Sequence, residues 1–192
     1  MRAAIIFLTA VLCSSCAIFA PNEPAKAAYV MYEWHDDGGP EELAAEIDLT
    51  TQKATFTRGS REVGWCFVST GKEVHMTPSG IFHVSEMVVD KYSTNYGWIT
   101  APDGSVSNGD AKPSTPVPVG HAYHPSPMKY WMRLTWYGVG MHAGDIPRPG
   151  VAASHGCVRL PRDFAPILYK AVKVGTSVRV IRSGPHRRGQ LG

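Results

Sequence analysis

Short apolar stretches, many alternating with polar residues and separated by turn residues, run along most of the chain. Ala28 to Trp34 is rich in Tyr, Val and Trp and predicts a strand. His35-Asp36-Asp37-Gly38-Gly39-Pro40 is turn chemistry; its His-Asp-Asp group lacks a second ligand cluster at a spacing that would suit a metal. From Ala45 to Thr50, Ile47 and Leu49 alternate with Glu46 and Asp48, as in a half-buried strand. Thr51-Gln52-Lys53 turns the chain, Ala54 to Thr57 returns it, and Arg58-Gly59-Ser60 turns it again. Val63 to Ser69 follows as a more apolar strand, which completes a β-meander. After the turns Thr70-Gly71-Lys72 and Thr77-Pro78-Ser79-Gly80, Ile81 to Val89 predicts a further strand.

The pattern then changes. Between Tyr92 and Pro127, Pro, Gly, Ser and Asn are dense and apolar periodicity is lost, which marks an insertion acting as a flap or cap. His121 and His124 inside it are expected at the surface rather than as ligands. Strand character resumes at Met128 to Thr135 and Trp136 to Met141, and His142 ends that apolar run. Phe164, Ile167, Leu168 and Ala171 recur at helical spacing within Pro161 to Val172, with Pro161 suited to a first helical position. Gly175 closes that segment, and Ser177 to Ile181 predicts a last strand. The expected fold is mainly β, with one principal helix and no internal repeat.

A length of 192 residues suits one domain with a real core, and 44% hydrophobic against 18% charged residues excludes a mainly disordered chain. A formal charge of +3 gives no footprint for nucleic acid, since the cationic run Arg182 to Arg188 is a short terminal tail. Arg2 followed by the apolar run Ala3 to Leu12, continued by Ala17 to Ala20, reads as a secretory signal, with cleavage after Ala27 in Ala25-Lys26-Ala27. Lipoprotein processing at Cys16, behind Ser14-Ser15, is the alternative. The organisation expected is a signal over 1–27, a catalytic domain over 28–182 with its insertion at 92–127, and a flexible tail over 183–192. The product would be an exported monomer of the periplasm or cell envelope, free or lipid-anchored.

Removal of the signal takes away Cys13 and Cys16 and leaves Cys66 and Cys157. Cys66 sits in the apolar run Val63 to Val68 and reads as a buried small hydrophobe. Cys157 lies in Ser154-His155-Gly156-Cys157, before the expected helix start. A free thiol has a pKa of roughly 8.5, so a thiol nucleophile needs an imidazole or a helix N-terminus to raise its thiolate fraction. His142 can reach Cys157 if the loop between them folds back, whereas His155 in an extended backbone points away from the thiol's face. Gly156 lets the backbone approach a substrate, and the N–H groups of Gly156 and Cys157 can serve as an oxyanion hole. Arg159 offers a bidentate fork for a substrate carboxylate. A zinc site from His142, His155 and Cys157 is a second reading, weakened by its spacing and the lack of a fourth ligand. A buried structural cysteine is a third, and these residues alone leave all three open.

His142-Ala143-Gly144 followed by Ser154-His155-Gly156-Cys157-Val158-Arg159-Leu160 resembles the active-site signature of the L,D-transpeptidase (YkuD) family. Ile47-Asp48-Leu49 with Thr51-Gln52-Lys53, Val68 to Lys72, Thr77 to Gly80, and Tyr130 to Leu134 resemble family blocks in family order, so the likeness spans about residues 43 to 181. The resemblance implies a YkuD-like β-sandwich, Cys157 as nucleophile, and His142 as general base oriented by the Ala143 carbonyl. It implies that His155 and Arg159 line the donor site, with Gly156 beside the thiol, and that Ser154 supports the loop. It also implies a peptidoglycan tetrapeptide donor, an amine acceptor, and no metal or other cofactor. The rather short loop holding Pro147 and Pro149, the Arg at 159 where some members carry Asn, and the insertion depart from part of the family. The reaction expected is acyl transfer that cross-links the wall or attaches a protein to it. Alternatives are an L,D-carboxypeptidase, with water as acceptor, and a non-catalytic wall-binding lipoprotein.

Overall fold

The computed structural model describes residues 29–184; the expected signal and nearly all of the expected tail lie outside the described residues. In chain order the strands are β1 (Tyr32–Trp34), β2 (Leu43–Asp48), β3 (Lys53–Arg58), β4 (Arg61–Phe67), β5 (Gly80–His83), β6 (Glu86–Val88), β7 (Tyr92–Thr100), β8 (Val106–Ala111), β9 (Ala122–Pro127), β10 (Trp131–Arg133), β11 (Gly140–Ala143), β12 (Val158–Leu160) and β13 (Ser177–Ile181). One α-helix, α1 (Ala165–Ala171), and a 3-10 turn at Glu73–His75 complete the elements. The mainly β fold with a single α-helix after Cys157 is therefore as expected.

Three sheets form. The first has the order β1-β4-β3-β2-β13-β5, the second β12-β11-β10-β6, and the third β8-β7-β9. The meander is β2-β3-β4, where Leu43, Ala45 and Ile47 point into the core and their neighbours are less buried. The main core joins Ile47, Phe56, Val63 and Val178 of the first sheet to Met132, Met141, Val158 and Leu160 of the second. Phe164 and Leu168, at the start of and within α1, complete it. Phe164 meets Tyr32, Trp34 and Phe56 at ring separations of 4.8 to 5.6 Å. Burial of such aromatic area is the dominant favourable term for a domain of this size.

Several expectations change. Ile81 to Val89 is two strands, because the chain leaves one sheet for the other at Val84 and Ser85: Val84 N–H donates to Thr176 and Ser85 N–H to Arg133. The stretch Leu134 to Val139 is a turn rather than part of two strands, with Trp136 and Tyr137 exposed at its tip. The helix starts at Ala165, not Pro161; Pro166 takes the early helical position. The insertion is ordered as the third sheet, where register shifts in the β7 pairings account for the missing periodicity. Within it His124 stacks on Trp98 at 5.4 Å and hydrogen-bonds Thr100 at 3.0 Å. In the first turn Asp36 accepts two bonds from Arg58 and Asp37 accepts one from Arg61, so its carboxylates serve arginines.

Candidate active site

The parallel pair β11–β12 brings the candidate residues together. Met141 pairs with Val158 and His142 with Arg159, which sets Gly140 level with Cys157. Strand alternation then places Cys157, His142 and Arg159 on one face, with Cys157 diagonal to His142. The short loop therefore does return the chain beside His142. His142 is only 7% exposed, and its Nδ1 lies 2.8 Å from the Ala143 carbonyl oxygen. That acceptor fixes the Nδ1–H tautomer and leaves Nε2 with its lone pair. Burial, followed by the nearby Arg159 and Arg162 charges and against the Ala143 bond, pushes the imidazole pKa down to about 4. His142 is thus a neutral base at pH 7.

Cys157 is half-buried, and its Sγ lies 3.7 Å from the Gly138 carbonyl while Gly140 N–H donates to the sulfur. Burial pushes its pKa up, against that N–H bond and the Arg159 charge. The resting pair is therefore a neutral thiol and a neutral imidazole. Among the described residues no α-helix end offsets the burial, since α1 begins well beyond Cys157. Cys66 is fully buried between β1 and β3, and desolvation raises its thiol pKa as well. Both cysteines are free.

The loop carrying Cys157 is pinned on every side. Ser154 Oγ donates to the Cys157 carbonyl at 2.5 Å and accepts from Gly156 N–H at 3.1 Å. The Gly156 N–H is thereby consumed, so the expected two-donor oxyanion hole loses one donor. Among the described residues nothing accepts from Cys157 N–H, which stays available beside the sulfur. Gly156 has φ +113, a backbone shape that side chains resist, and its carbonyl accepts from Thr77 Oγ1 at 2.8 Å. Behind the loop, Ser69 exchanges backbone bonds with Arg159, and Ala153 and Ser154 N–H groups donate to Thr70. A Cβ on Gly71 would come within 1.9 Å of the His75 carbonyl oxygen, so the contact admits only glycine. Gln52, buried beneath, holds Thr70 by its side chain in both directions.

Arg159 lies over the site with Nη1 3.4 Å from the Asp145 carbonyl, while the Asp145 carboxylate is engaged by Arg162. Burial lowers its pKa from the usual arginine value, which still leaves it a cation able to fork onto a carboxylate. His155 turns away from the thiol toward the insertion. Its Nε2 is 2.6 Å from Asp110 Oδ1, out of line for a good hydrogen bond, and its ring stacks on Tyr96 at 4.4 Å. Burial lowers its pKa, against the Asp110 carboxylate. Among the described residues no three His, Cys, Asp or Glu side chains cluster as metal ligands, because His155 is drawn away from His142 and Cys157. Of these residues the sequence pattern singles out Cys157, His142, Ser154, His155, Gly156 and Arg159. Gln52, Thr77, Gly138, Gly140, Tyr96 and Asp110 carry no such signal of a role, although Gln52 and Thr77 lie in the blocks that resemble the family.

Residues 43–180 match the YkuD L,D-transpeptidase catalytic domain. An L,D-transpeptidase from Mycobacterium smegmatis superposes with a TM-score of 0.56 at 22% identity, over 73% of this chain and 58% of that one, and so shares the fold. A crystallised L,D-transpeptidase mutant of Enterococcus faecium gives 0.54 at 25% identity, over 73% and 50%. The catalytic domain of the E. faecium enzyme, solved by NMR, gives 0.50 at 26%, over 73% of this chain and 98% of that one. This chain thus spans between half and three-fifths of the first two proteins. No curated protein matches it. On its match over 43–180, the chain belongs to the YkuD family of L,D-transpeptidase catalytic domains.

Proposed function

We propose that the protein is a cysteine-dependent L,D-transpeptidase acting on peptidoglycan stem peptides. The observation that carries this is the His142 Nδ1 bond to the Ala143 carbonyl, with the opposite nitrogen on the face that bears Cys157. A neutral imidazole with a free Nε2 lone pair is what a neutral thiol needs as its base. The thiol proton rests toward the Gly138 carbonyl, and rotation about the Cys157 side chain turns it to His142.

Sγ then attacks the carbonyl carbon of the third residue of the donor stem as Nε2 takes the proton. The Cys157 N–H donates to the oxyanion that forms. The C–N bond breaks, the imidazolium returns the proton to the departing D-Ala amine, and a thioester remains on Cys157. An amine attacks the thioester, His142 takes its proton, and the thiol is restored. Arg159 steers a donor carboxylate. The acceptor is a second stem peptide or a protein amine, with cross-linking or protein attachment as the result. We place the enzyme outside the cytoplasmic membrane, released after Ala27 or anchored through Cys16, because its substrate is there.

Incubating the protein with disaccharide-tetrapeptide and weighing the products tests this. Loss of D-Ala, a thioester adduct at Cys157 and dimeric products are expected. Tripeptide alone reassigns the enzyme as an L,D-carboxypeptidase, and no adduct or product leaves the non-catalytic wall-binding reading.

A further inference from the structure

The cap sheet β7–β9 stands apart from the core shared by the other two sheets, with its own small centre at Ile99 and Ala111. Its chain enters and leaves side by side: Met128 N–H donates to Lys91 and Tyr130 N–H to Val89. The Gly97–Ala111 pair makes Tyr96 and Asp110 diagonal neighbours at one edge. These two residues hold His155, by the 4.4 Å stack and the 2.6 Å carboxylate contact. The His75 ring closes the cluster from the 3-10 turn, 5.1 Å from His155. His155 precedes Gly156 and Cys157, whose loop is fixed below by Ser154 and Thr77.

The geometry points to Asp110 as a positioning residue: with Tyr96 it latches the cap sheet onto His155 and so sets the upper wall of the cleft in which Cys157 reacts. The contact joins a neck-hinged sheet to the nucleophile's own loop. A carboxylate 2.6 Å from the ring edge attracts it electrostatically, more strongly once the ring is charged, without an in-line hydrogen bond. With the latch open, the cap keeps its neck and the Tyr96 contact with His75, 6.1 Å between rings, and the wall beside a long substrate becomes movable. The effect on the reaction rests on the transpeptidase reading; the latch itself does not.

Asp110 is exposed, so Asp110→Asn leaves the fold intact. NMR titration of His155 in the full chain reads the contact without substrate. Lys72 and His75 face the same ring and act against its protonation, and Asp110 acts for it. The midpoint should therefore fall in Asp110→Asn and return in Asp110→Glu. Amide exchange in β7 and β8 should rise in the Asn variant alone. With disaccharide-tetrapeptide, KM for acylation should rise about 2- to 5-fold with kcat little changed, the size of one partly exposed polar contact. An unchanged midpoint and unchanged exchange overturn the latch. A shifted midpoint with unchanged KM overturns the positioning role. If the wild type forms no thioester while midpoint and exchange still respond, the transpeptidase reading fails and the latch stands.

Discussion

Cys66 and Cys157 are the same chemical group in two regions built differently. Cys66 sits mid-strand, fully buried, with paired strands on both sides. Cys157 sits at the mouth of β12, half-buried, with Gly140 N–H, the Gly138 carbonyl, Arg159 and His142 around it. Burial raises the pKa of both thiols. Thiolate population at rest therefore does not distinguish the two regions. Access, and a neutral base on the same face, do.

The sharpest way to break the comparison is to exchange the fates of the two thiols. Cys157→Ala should remove the thioester adduct and reduce transfer at least about 1,000-fold, as loss of a covalent nucleophile does. Mass spectrometry after incubation with tetrapeptide checks it; residual adduct on Cys66 would end the assignment. Next in size is the base. His142→Gln should slow iodoacetamide alkylation of Cys157 and acylation by about 100-fold or more, with Cys66 unaffected.

The same variant has a pH signature. The folded pKa of His142, about 4, lies below its ordinary 6.5, so the unfolded chain binds the extra proton first. His142 thus costs no stability above pH 6.5, and stability is lost as pH falls from 6.5 to about 4, by on the order of 3 kcal/mol. Thermal melts of wild type and His142→Gln should converge over that window. For transfer, the acid limb in the free enzyme should lie near pH 4, where Nε2 becomes protonated. A limb near 6.5 would mean that His142 is solvated.

Gly71→Ala tests whether the pinning of the Cys157 loop matters. Its added Cβ meets the His75 carbonyl and the Gly156 Cα, so the loop must shift, at about 1–3 kcal/mol of stability. Alkylation of Cys157 should change while Cys66 stays silent. Equal behaviour of both thiols would show that the loop position is slack.

How far such features could be read from the sequence follows from what encodes them. The meander β2–β4 and the last strand are period-two patterns between turn residues, and the chain shows them openly. Cys157 and His142 were legible through their flanking motif. The cap's strands were not, because bulged pairing and a small separate core leave no clean alternation. Nor was the break in Ile81 to Val89, since both halves are apolar and only the change of sheet at Val84 divides them. His155, Tyr96 and Asp110 meet only after three elements have folded, and no local spacing records that. The raised thiol pKa was not legible for the same reason: desolvation is a property of the packed site.

The smallest expected effect sharpens the comparison from the other side. Cys66 lies between Tyr32 on β1 and Ala54 on β3, inside the main core. Cys66→Ala removes only a sulfur, so about 1–2 kcal/mol of stability should go, the lower end for core truncation. Cys66→Ser nearly keeps the shape and buries a hydroxyl, which costs about 1–3 kcal/mol unless it finds a strand carbonyl. Neither change touches β11, β12 or the loop between them, so turnover below the melting range should equal that of the wild type. Denaturant melts and initial rates on one preparation check both halves. A rate change in Cys66→Ala at unchanged fold would couple strand β4 to the nucleophile, and the two thiols would no longer be independent.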